Sequence, residues 1–456
     1  MMLFDSINPA TDERLAQVPA TPPARQEAML QQAASAARAF AARDITERAA
    51  LLGKVATVLT QNRDLYARLI TEEMGKPITE ARAEVEKCAL TCRHYAAHGP
   101  QYLADEAVAL GGPTGRIAFL PLGVVLAIMP WNFPFWQVFR FLAAALIAGN
   151  TAILKHAANV PRTALAIADV LRCAGAEDGI FQTLLVPSAA IASVIEDPRI
   201  AAVTLTGSAA AGRAVAAIAG RALKKTVLEL GGSDAFIVRP DADLDRAAAA
   251  AVASRYQNAG QSCIAAKRMI LIGGAAEPFL ERFIDRAARL RSGDPLAEDT
   301  AIGPLARADL RAFLHGQVTE ALAAGATPRL GCALPAGPGC FYPPSVLDGV
   351  RPGMRAYSEE LFGPVALILR ARDDEEAVRL ANDSPYGLGA SIWTRDIAMG
   401  ERMARALECG STFVNAMVRS DPRLPFGGTK ASGYGRELAA WGPREFVNVK
   451  SLWIEP

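Results

Sequence analysis

The sequence lacks an excess of either charge: 48 basic and 47 acidic side chains leave a net charge of +1 over 456 residues. No global field draws it to nucleic acid or to an anionic membrane, and only a local basic pocket stays open. It is also short of cysteine. The seven present, Cys88, Cys92, Cys173, Cys263, Cys332, Cys340 and Cys409, are odd in number and loosely spaced. That fits neither a disulfide framework nor a four-cysteine zinc site, so no metal is expected and a reducing cytoplasm is the expected compartment. The start, Met1-Met2-Leu3-Phe4-Asp5-Ser6, lacks the basic and long apolar stretches of a signal peptide. An unbroken apolar span is missing too. Ile117 to Phe139 carries no charge, but Pro121, Pro130 and Pro134 would break a helix repeatedly. Buried strands and a loop are expected there instead. No internal repeat or low-complexity linker is found.

What is there suits a globular enzyme-sized chain. Hydrophobic residues make up 51% and charged residues 21%, ample for cores. The length exceeds the single-core limit of roughly 250–300 residues, so two or more domains are expected. Apolar periodicity predicts helices over 25–42, 46–61, 63–74 and 78–98. From 124 the pattern alternates: strands at 124–129, 151–155, 183–186 and 201–206, with helices at 135–148, 161–173 and 188–197. A second alternating series follows Gly231-Gly232, with strands at 236–238, 268–272, 365–369, 391–394 and 412–415. The class is α/β, with parallel sheets covered on both faces and two α/β domains joined near 232. Such doubly wound sheets bind nucleotides at strand carboxyl ends.

Two segments bear most directly on chemistry. Asn258-Ala259-Gly260-Gln261-Ser262-Cys263 offers a thiol among small residues, and Leu228-Glu229-Leu230-Gly231-Gly232 offers a carboxylate. A thiolate forms a covalent intermediate and a carboxylate activates water to break it. A hydrolase would also use that pair. Taken singly, a cysteine is more often a buried small hydrophobe, though Gly260-Gln261-Ser262 before Cys263 argues for close approach by a ligand, and Glu229 reads equally as a solvated strand end. Asn132, within Met129-Pro130-Trp131-Asn132-Phe133-Pro134, has two amide donors for an oxyanion, or satisfies its own turn. Thr206-Gly207-Ser208 closes a strand and opens a helix, where N–H groups hold phosphate; Ser208 reads equally as an N-cap. Gly212 follows too late for the common G-x-G-x-x-G fingerprint. Lys155 ends a strand near any bound nucleotide, or is a surface lysine. In Glu359-Glu360-Leu361-Phe362-Gly363-Pro364, a carboxylate for ribose hydroxyls and a ring for a flat group compete with a solvated loop.

Taken together, these motifs resemble the aldehyde dehydrogenase superfamily. Pro130-Trp131-Asn132-Phe133-Pro134, Gly149-Asn150-Thr151 with Lys155, Thr206-Gly207-Ser208 and Glu229-Leu230-Gly231-Gly232 occur in that family's order. Gly260-Gln261-Ser262-Cys263, Glu360-Leu361-Phe362-Gly363-Pro364 and Pro425-Phe426-Gly427-Gly428 complete the series, and the similarity runs over nearly the whole chain. The resemblance implies a Rossmann-type cofactor domain (1–112 and 126–232), a catalytic domain (233–430) and a small β oligomerisation arm (113–125 and 431–456). It implies Cys263 as nucleophile, Glu229 as general base, and Asn132 with the Cys263 N–H as oxyanion hole. It also implies Trp131, Lys155, Gly207, Ser208, Gly212, Leu230, Glu360 and Phe362 as contacts to NAD or NADP, with NAD slightly favoured, and a homodimer or homotetramer.

Within the superfamily the chain resembles the short bacterial succinate semialdehyde dehydrogenases, through Lys155-His156-Ala157, Arg255-Tyr256-Gln257-Asn258 and Arg140. Arg140 is expected to bind the distal carboxylate of the aldehyde, because a buried guanidinium in an uncharged neighbourhood is costly without such a role. A second arginine of some relatives is replaced by Gln257, with Arg419, Ser420 or Arg423 as possible substitutes; Ser420 is retained as a substrate contact. Ala158 stands where NAD-using relatives carry a ribose-binding glutamate, which leaves room for NADP. Ala265 replaces a second cysteine able to form an inhibitory disulfide. Acylating relatives generally lack the Glu229 equivalent, which argues against transfer to coenzyme A.

Overall fold

The computed structural model describes residues 2–111 and 113–455. Positions 1, 112 and 456, which bound the expected domains, lie outside them. Among the described residues no helix is long and apolar enough to cross a membrane. The uncharged stretch 117–139 is instead the end of strand Thr114–Pro121, strand Val124–Met129, a loop, and the start of helix Trp136–Ile147. The prolines fall at the strand end and in the loop, where a missing N–H is tolerated.

Two sheets carry the architecture. The first has six strands, in the order Gly433–Tyr434, Lys225–Glu229, Ile200–Thr206, Val124–Met129, Thr151–His156 and Phe181–Thr183. All neighbours are parallel except the Gly433–Tyr434 edge. The second has seven, in the order Thr327–Leu330, Ser345–Asp348, Val365–Ala371, Ala266–Ile272, Asp234–Val238, Gly389–Trp393 and Ser411–Val414, with only its first pair antiparallel. Both central strands Val124–Met129 and Asp234–Val238 are apolar almost throughout, as sheets covered on both faces require. A third, antiparallel sheet joins Val447–Ile454, Thr114–Pro121 and Glu106–Ala109. The α/β class expected from periodicity is therefore what the chain forms.

Several boundaries differ from the periodicity reading. Leu184–Val186 is apolar but unpaired, because the strand there ends at Thr183. Helix 188–197 divides into a 3₁₀ turn, Ser188–Ala190, and a short helix, Ile191–Glu196. Helix Ile78–Tyr102 runs past 98 and takes Pro100 into its last turns. Hairpin Leu3–Ile7 with Arg14–Pro19, strand Ser345–Asp348 and helix Ala308–Ala323 were not legible in the periodicity.

The first sheet changes direction at its middle. The chain enters at Val124–Met129, fills one side through Thr151–His156 and Phe181–Thr183, then crosses to Ile200–Thr206 on the other. The carboxyl ends Met129 and Thr206 thus neighbour each other at a topological switch point, where loops diverge and leave a crevice.

Candidate active site

That crevice opens into a cleft of about 530 Å³, within the range of small-molecule sites. Its first-sheet wall carries Trp131, Asn132, Gly207, Ser208 and Leu230. The facing wall brings Cys263, Glu360 and Phe362 from the second sheet's loops. Five motifs far apart in sequence therefore meet in one space.

The loop that carries Cys263 is held in an unusual backbone. Asn258, Ala259 and Gly260 all have left-handed φ, at 53°, 50° and 74°. For Asn258 and Ala259 this is strained conformation that surrounding contacts must enforce. At Gly260 a side chain would run into the Gly363 carbonyl. The enforcing contacts are buried charges. Arg255 donates to the Gly260 carbonyl at 2.8 Å and the Gly363 carbonyl at 2.6 Å. Lys267 donates to the carbonyls of Ser262 at 2.7 Å and Cys263 at 2.9 Å, and pairs with Glu360 at 3.0 Å. One lysine thus ties the nucleophile loop to the carboxylate of the opposite motif. Cys263 itself is half-buried. Burial pushes its thiol up to about 12, against the opposing pull of the Arg140 and Lys267 cations.

Asn132 reaches across to this loop. Its Nδ2 donates to the Gln261 carbonyl at 3.0 Å, and its own carbonyl accepts from Asn258 Nδ2 at 2.7 Å. An amide nitrogen has two hydrogens, so one remains for an oxygen beside Cys263. The Cys263 backbone N–H has no backbone acceptor among the described residues, which supplies the second donor.

Glu229 ends strand Lys225–Glu229, buried, and neither carboxylate oxygen has a hydrogen-bond partner among the described residues. Burial, reinforced by the nearby Glu437 carboxylate, raises its pKa well above the usual range, although Arg140 pulls it down. A Cβ on Gly427 would lie 2.7 Å from its Oε1, and a Cβ on Gly232 would lie 2.6 Å from the Cys263 carbonyl. Glycines therefore make room on both sides for carboxylate and nucleophile loop. The solvated strand end is excluded by this burial.

Arg140 requires a correction. Its neighbourhood is not uncharged: the guanidinium is buried in an ion pair with buried Glu437, lies 4.8 Å from the Phe426 ring centroid, and donates to Thr206 Oγ1 at 3.3 Å. The desolvation argument for a carboxylate ligand at Arg140 fails, because Glu437 already neutralises it. Ser420, the other expected substrate contact, is buried and accepts from Lys87 Nζ at 2.7 Å.

The expected cofactor residues separate into two groups. Trp131 and Phe362 face each other edge to face at 5.8 Å across the cleft. Ser208 lines the cleft and also caps helix Ala209–Arg221, accepting from Ala211 N at 3.2 Å, so both readings of it hold. Glu360 is held by Lys267 and by the Gly232 N–H at 3.1 Å. Gly212 and Lys155 are not on the cleft wall. Gly212 backs Leu230, whose side chain a Cβ there would meet at 2.6 Å, so its role is packing. Lys155 donates to Ser188 Oγ at 3.3 Å beyond the cleft's rim. A helix N-terminus, two aromatic faces and an anchored carboxylate around such a volume fit a dinucleotide.

Sequence reasoning missed one stripe of charge. Glu80, Glu84 and Lys87 lie on one face of helix Ile78–Tyr102. Glu80 accepts from Asn258 N at 2.7 Å; Glu84 accepts from Phe135 N at 2.9 Å and Trp136 N at 3.0 Å and pairs with Lys76. One helix thereby fixes both the nucleophile loop and the Asn132 loop. The signal was the four-and-three spacing of charges in an otherwise Ala- and Cys-rich helix, which marks one face.

Fold, crevice and the Cys263–Asn132–Glu229 arrangement define a class, and the comparisons agree: residues 2–452 match the aldehyde dehydrogenase family, and the chain belongs to it. Among its relatives is a probable NADP+-dependent succinate-semialdehyde dehydrogenase of Synechocystis sp., 49% identical over 453 residues, covering 99% of this chain and 100% of that one. An NAD(P)+-linked succinate semialdehyde dehydrogenase of Escherichia coli is 50% identical over 448 residues, covering 98% of this chain and 97% of that one. The crystal structure of succinic semialdehyde dehydrogenase from Streptococcus pyogenes with NADP+ superposes with a TM-score of 0.97 at 36% identity, covering 99% of this chain and all of that one.

Proposed function

We propose that the chain oxidises succinate semialdehyde to succinate with NADP+, and less well with NAD+, through a thioester on Cys263. The observation that carries the chemistry is that Cys263 and Asn132, with its spare amide hydrogen, share the wall of one switch-point cleft, and that Glu229, buried and without a hydrogen-bond partner among the described residues, directly precedes the wall residue Leu230. Cys263 attacks the aldehyde carbon as the thiolate. Asn132 Nδ2 and the Cys263 N–H receive the oxyanion. The nicotinamide, when bound, supplies the hydride acceptor. Trp131, Ser208, Glu360 and Phe362, which line the same cleft as Cys263, would hold the dinucleotide. Glu229 then takes a proton from water, which attacks the thioester and frees the acid. On this account Asn132→Ala lowers kcat by about 10²–10³ while leaving cofactor binding intact; steady-state kinetics with a cofactor titration checks it.

The succinate semialdehyde reading is supported by relatives of that activity near 50% identity over almost the whole chain. NADP+ replaces the slight preference for NAD because those relatives use it, Ala158 adds no carboxylate to repel a 2′-phosphate, and the Lys155–Ser188 pair offers it two donors. We also propose the division into cofactor, catalytic and arm units. Assembly would use the open Val447–Ile454 edge, where Val449 and Trp453 are 59% and 62% exposed. A cytoplasmic setting suits seven free cysteines. The test is kcat/KM for succinate semialdehyde, glutarate semialdehyde, butanal and benzaldehyde, each with NADP+ and NAD+. Succinate semialdehyde with NADP+ is expected to exceed butanal by roughly 10–100-fold. Glutarate semialdehyde, one methylene longer, is expected within about 1–3 kcal/mol of it. Equal values for butanal and succinate semialdehyde would remove the acidic-substrate reading.

A further inference from the structure

Lys267 sits beneath the nucleophile loop, four residues after Cys263, at the start of the buried strand Ala266–Ile272. A cation buried that fully is kept in place only by partners. Lys267 has three. Nζ donates to the Ser262 carbonyl at 2.7 Å and the Cys263 carbonyl at 2.9 Å, and pairs with Glu360 at 3.0 Å. Those bonds use all three hydrogens of an ammonium. The next residue, Arg268, turns to the other face of the pleated strand and donates to the carbonyls of Ser233, Leu380 and Ala381. Pairing with Glu360 accounts for one bond of Lys267. The other two go to the carbonyl of the nucleophile itself and to the one before it.

Both carbonyl bonds bear on Cys263. In a planar trans peptide the C=O and N–H point in opposite directions. Because Lys267 holds the Ser262 carbonyl, the N–H of the same peptide unit, that of Cys263, is turned away from the lysine, and it meets no backbone acceptor among the described residues. A carbonyl bound to a cation also makes the N–H of its unit a stronger donor. Charge reaches the thiol as well. Arg140 and Lys267 favour the thiolate, and Glu360 and Asp234 oppose it. Asp234 opens strand Asp234–Val238, opposite Ala266 in the parallel register, and is buried. Its Oδ1 accepts from Gly389 N at 3.0 Å, and its Oδ2 has no partner among the described residues. Gly232 leaves it room beside the loop: a Cβ there would lie 3.2 Å from Asp234 Oδ1 and 2.6 Å from the Cys263 carbonyl. Burial raises the Asp234 carboxyl to about 7, with Lys267 first among the groups that oppose the rise, so its negative charge grows through neutral pH.

Resting on the reading of Cys263 as nucleophile, we propose that Lys267 is the positioning residue that makes this thiol reactive, by aiming the Cys263 N–H and favouring the thiolate, and that Asp234 is the opposing charge that restrains it. Neither lines the cleft. They act from behind the loop, in opposite senses, on one sulfur.

The test is the rate of Cys263 alkylation by iodoacetamide, read by peptide mapping from neutral to alkaline pH, in full-length wild type, Lys267→Gln and Asp234→Asn. No aldehyde and no cofactor is present, so failure of the succinate semialdehyde reading leaves the result standing. At a given pH on the rising limb, alkylation is expected to fall roughly 10- to 100-fold in Lys267→Gln and, above neutral pH, to rise about 10-fold in Asp234→Asn. Glutamine keeps a donor for the loop carbonyls, and asparagine keeps an acceptor for Gly389 N. Loosening of the loop would move both variants in one direction, whereas removal of opposite charges moves them apart. Rates that shift together, or a rate unchanged in either variant, overturn the proposal. Should Lys267→Gln fail to fold, Asp234→Asn decides alone: a faster rate supports the proposal, and an equal or slower one overturns it.

Discussion

Cys263→Ala is expected to lower kcat/KM for every aldehyde by at least about 10⁴-fold, the size of loss seen when a covalent nucleophile is removed. The expectation follows from position. Cys263 is the thiol on the cleft wall, between the Asn132 amide and the Glu360–Phe362 segment. Two buried cations, Arg255 and Lys267, hold its loop by the carbonyls. Alanine fits that loop, so cofactor binding, read as fluorescence quenching of the nearby Trp131, survives. Burial raises the thiol to about 12, so the thiolate fraction grows with pH, and kcat/KM of the wild type is expected to climb from neutral to alkaline pH. The Cys88 and Cys92 thiols are buried within helix Ile78–Tyr102 and raised by burial, and they give no rescue.

Glu229→Gln is expected to separate the two half-reactions. Its first turnover releases about one reduced cofactor per active site, and steady-state turnover then falls roughly 10²–10⁴-fold, the range assigned to a general base. Glutamine matches glutamate in shape, and no hydrogen bond is lost, because the carboxylate makes none among the described residues. The oxidation step needs Cys263 and Asn132, whereas water activation needs a base. Because burial and Glu437 raise the Glu229 pKa, the basic carboxylate form accumulates only above the ordinary carboxylate range. Deacylation should therefore rise with pH in the wild type, and that component should vanish in the variant. Stopped-flow absorbance of the reduced cofactor resolves burst and steady state.

Much of this was legible in the sequence because short-range chemistry marks it. Apolar runs of strand length separated by helix-length stretches imply parallel α/β sheets, and the two described sheets have that form. Glu229 closes a strand ahead of two glycines, Asn132 sits in a proline-flanked loop after a strand and Cys263 follows a glycine-containing loop, so residue type and local context singled out all three as candidates. What the sequence concealed depends on distant partners. Glu437 lies far from Arg140 in sequence, more than half the chain away, and no local pattern joins them; only folding reveals that Arg140 is paired. Gly212 was read from its distance to Gly207, whereas the structure fits it against Leu230, just past the end of the next strand. Glu80 and Glu84 carry no motif of their own; their meaning appears once the fold shows them holding the two site loops from one helix face.

The central claim is a thioester at Cys263 that Glu229 hydrolyses. The most direct measurement is intact-protein mass spectrometry of Glu229→Gln, mixed with NADP+ and succinate semialdehyde and quenched in acid, followed by peptide mapping. The account predicts a mass increase of one succinyl group, carried by the peptide that contains Cys263 and absent when NADP+ is omitted. Unmodified protein in a variant that still releases its burst of reduced cofactor, or an adduct on a peptide without Cys263, would contradict it.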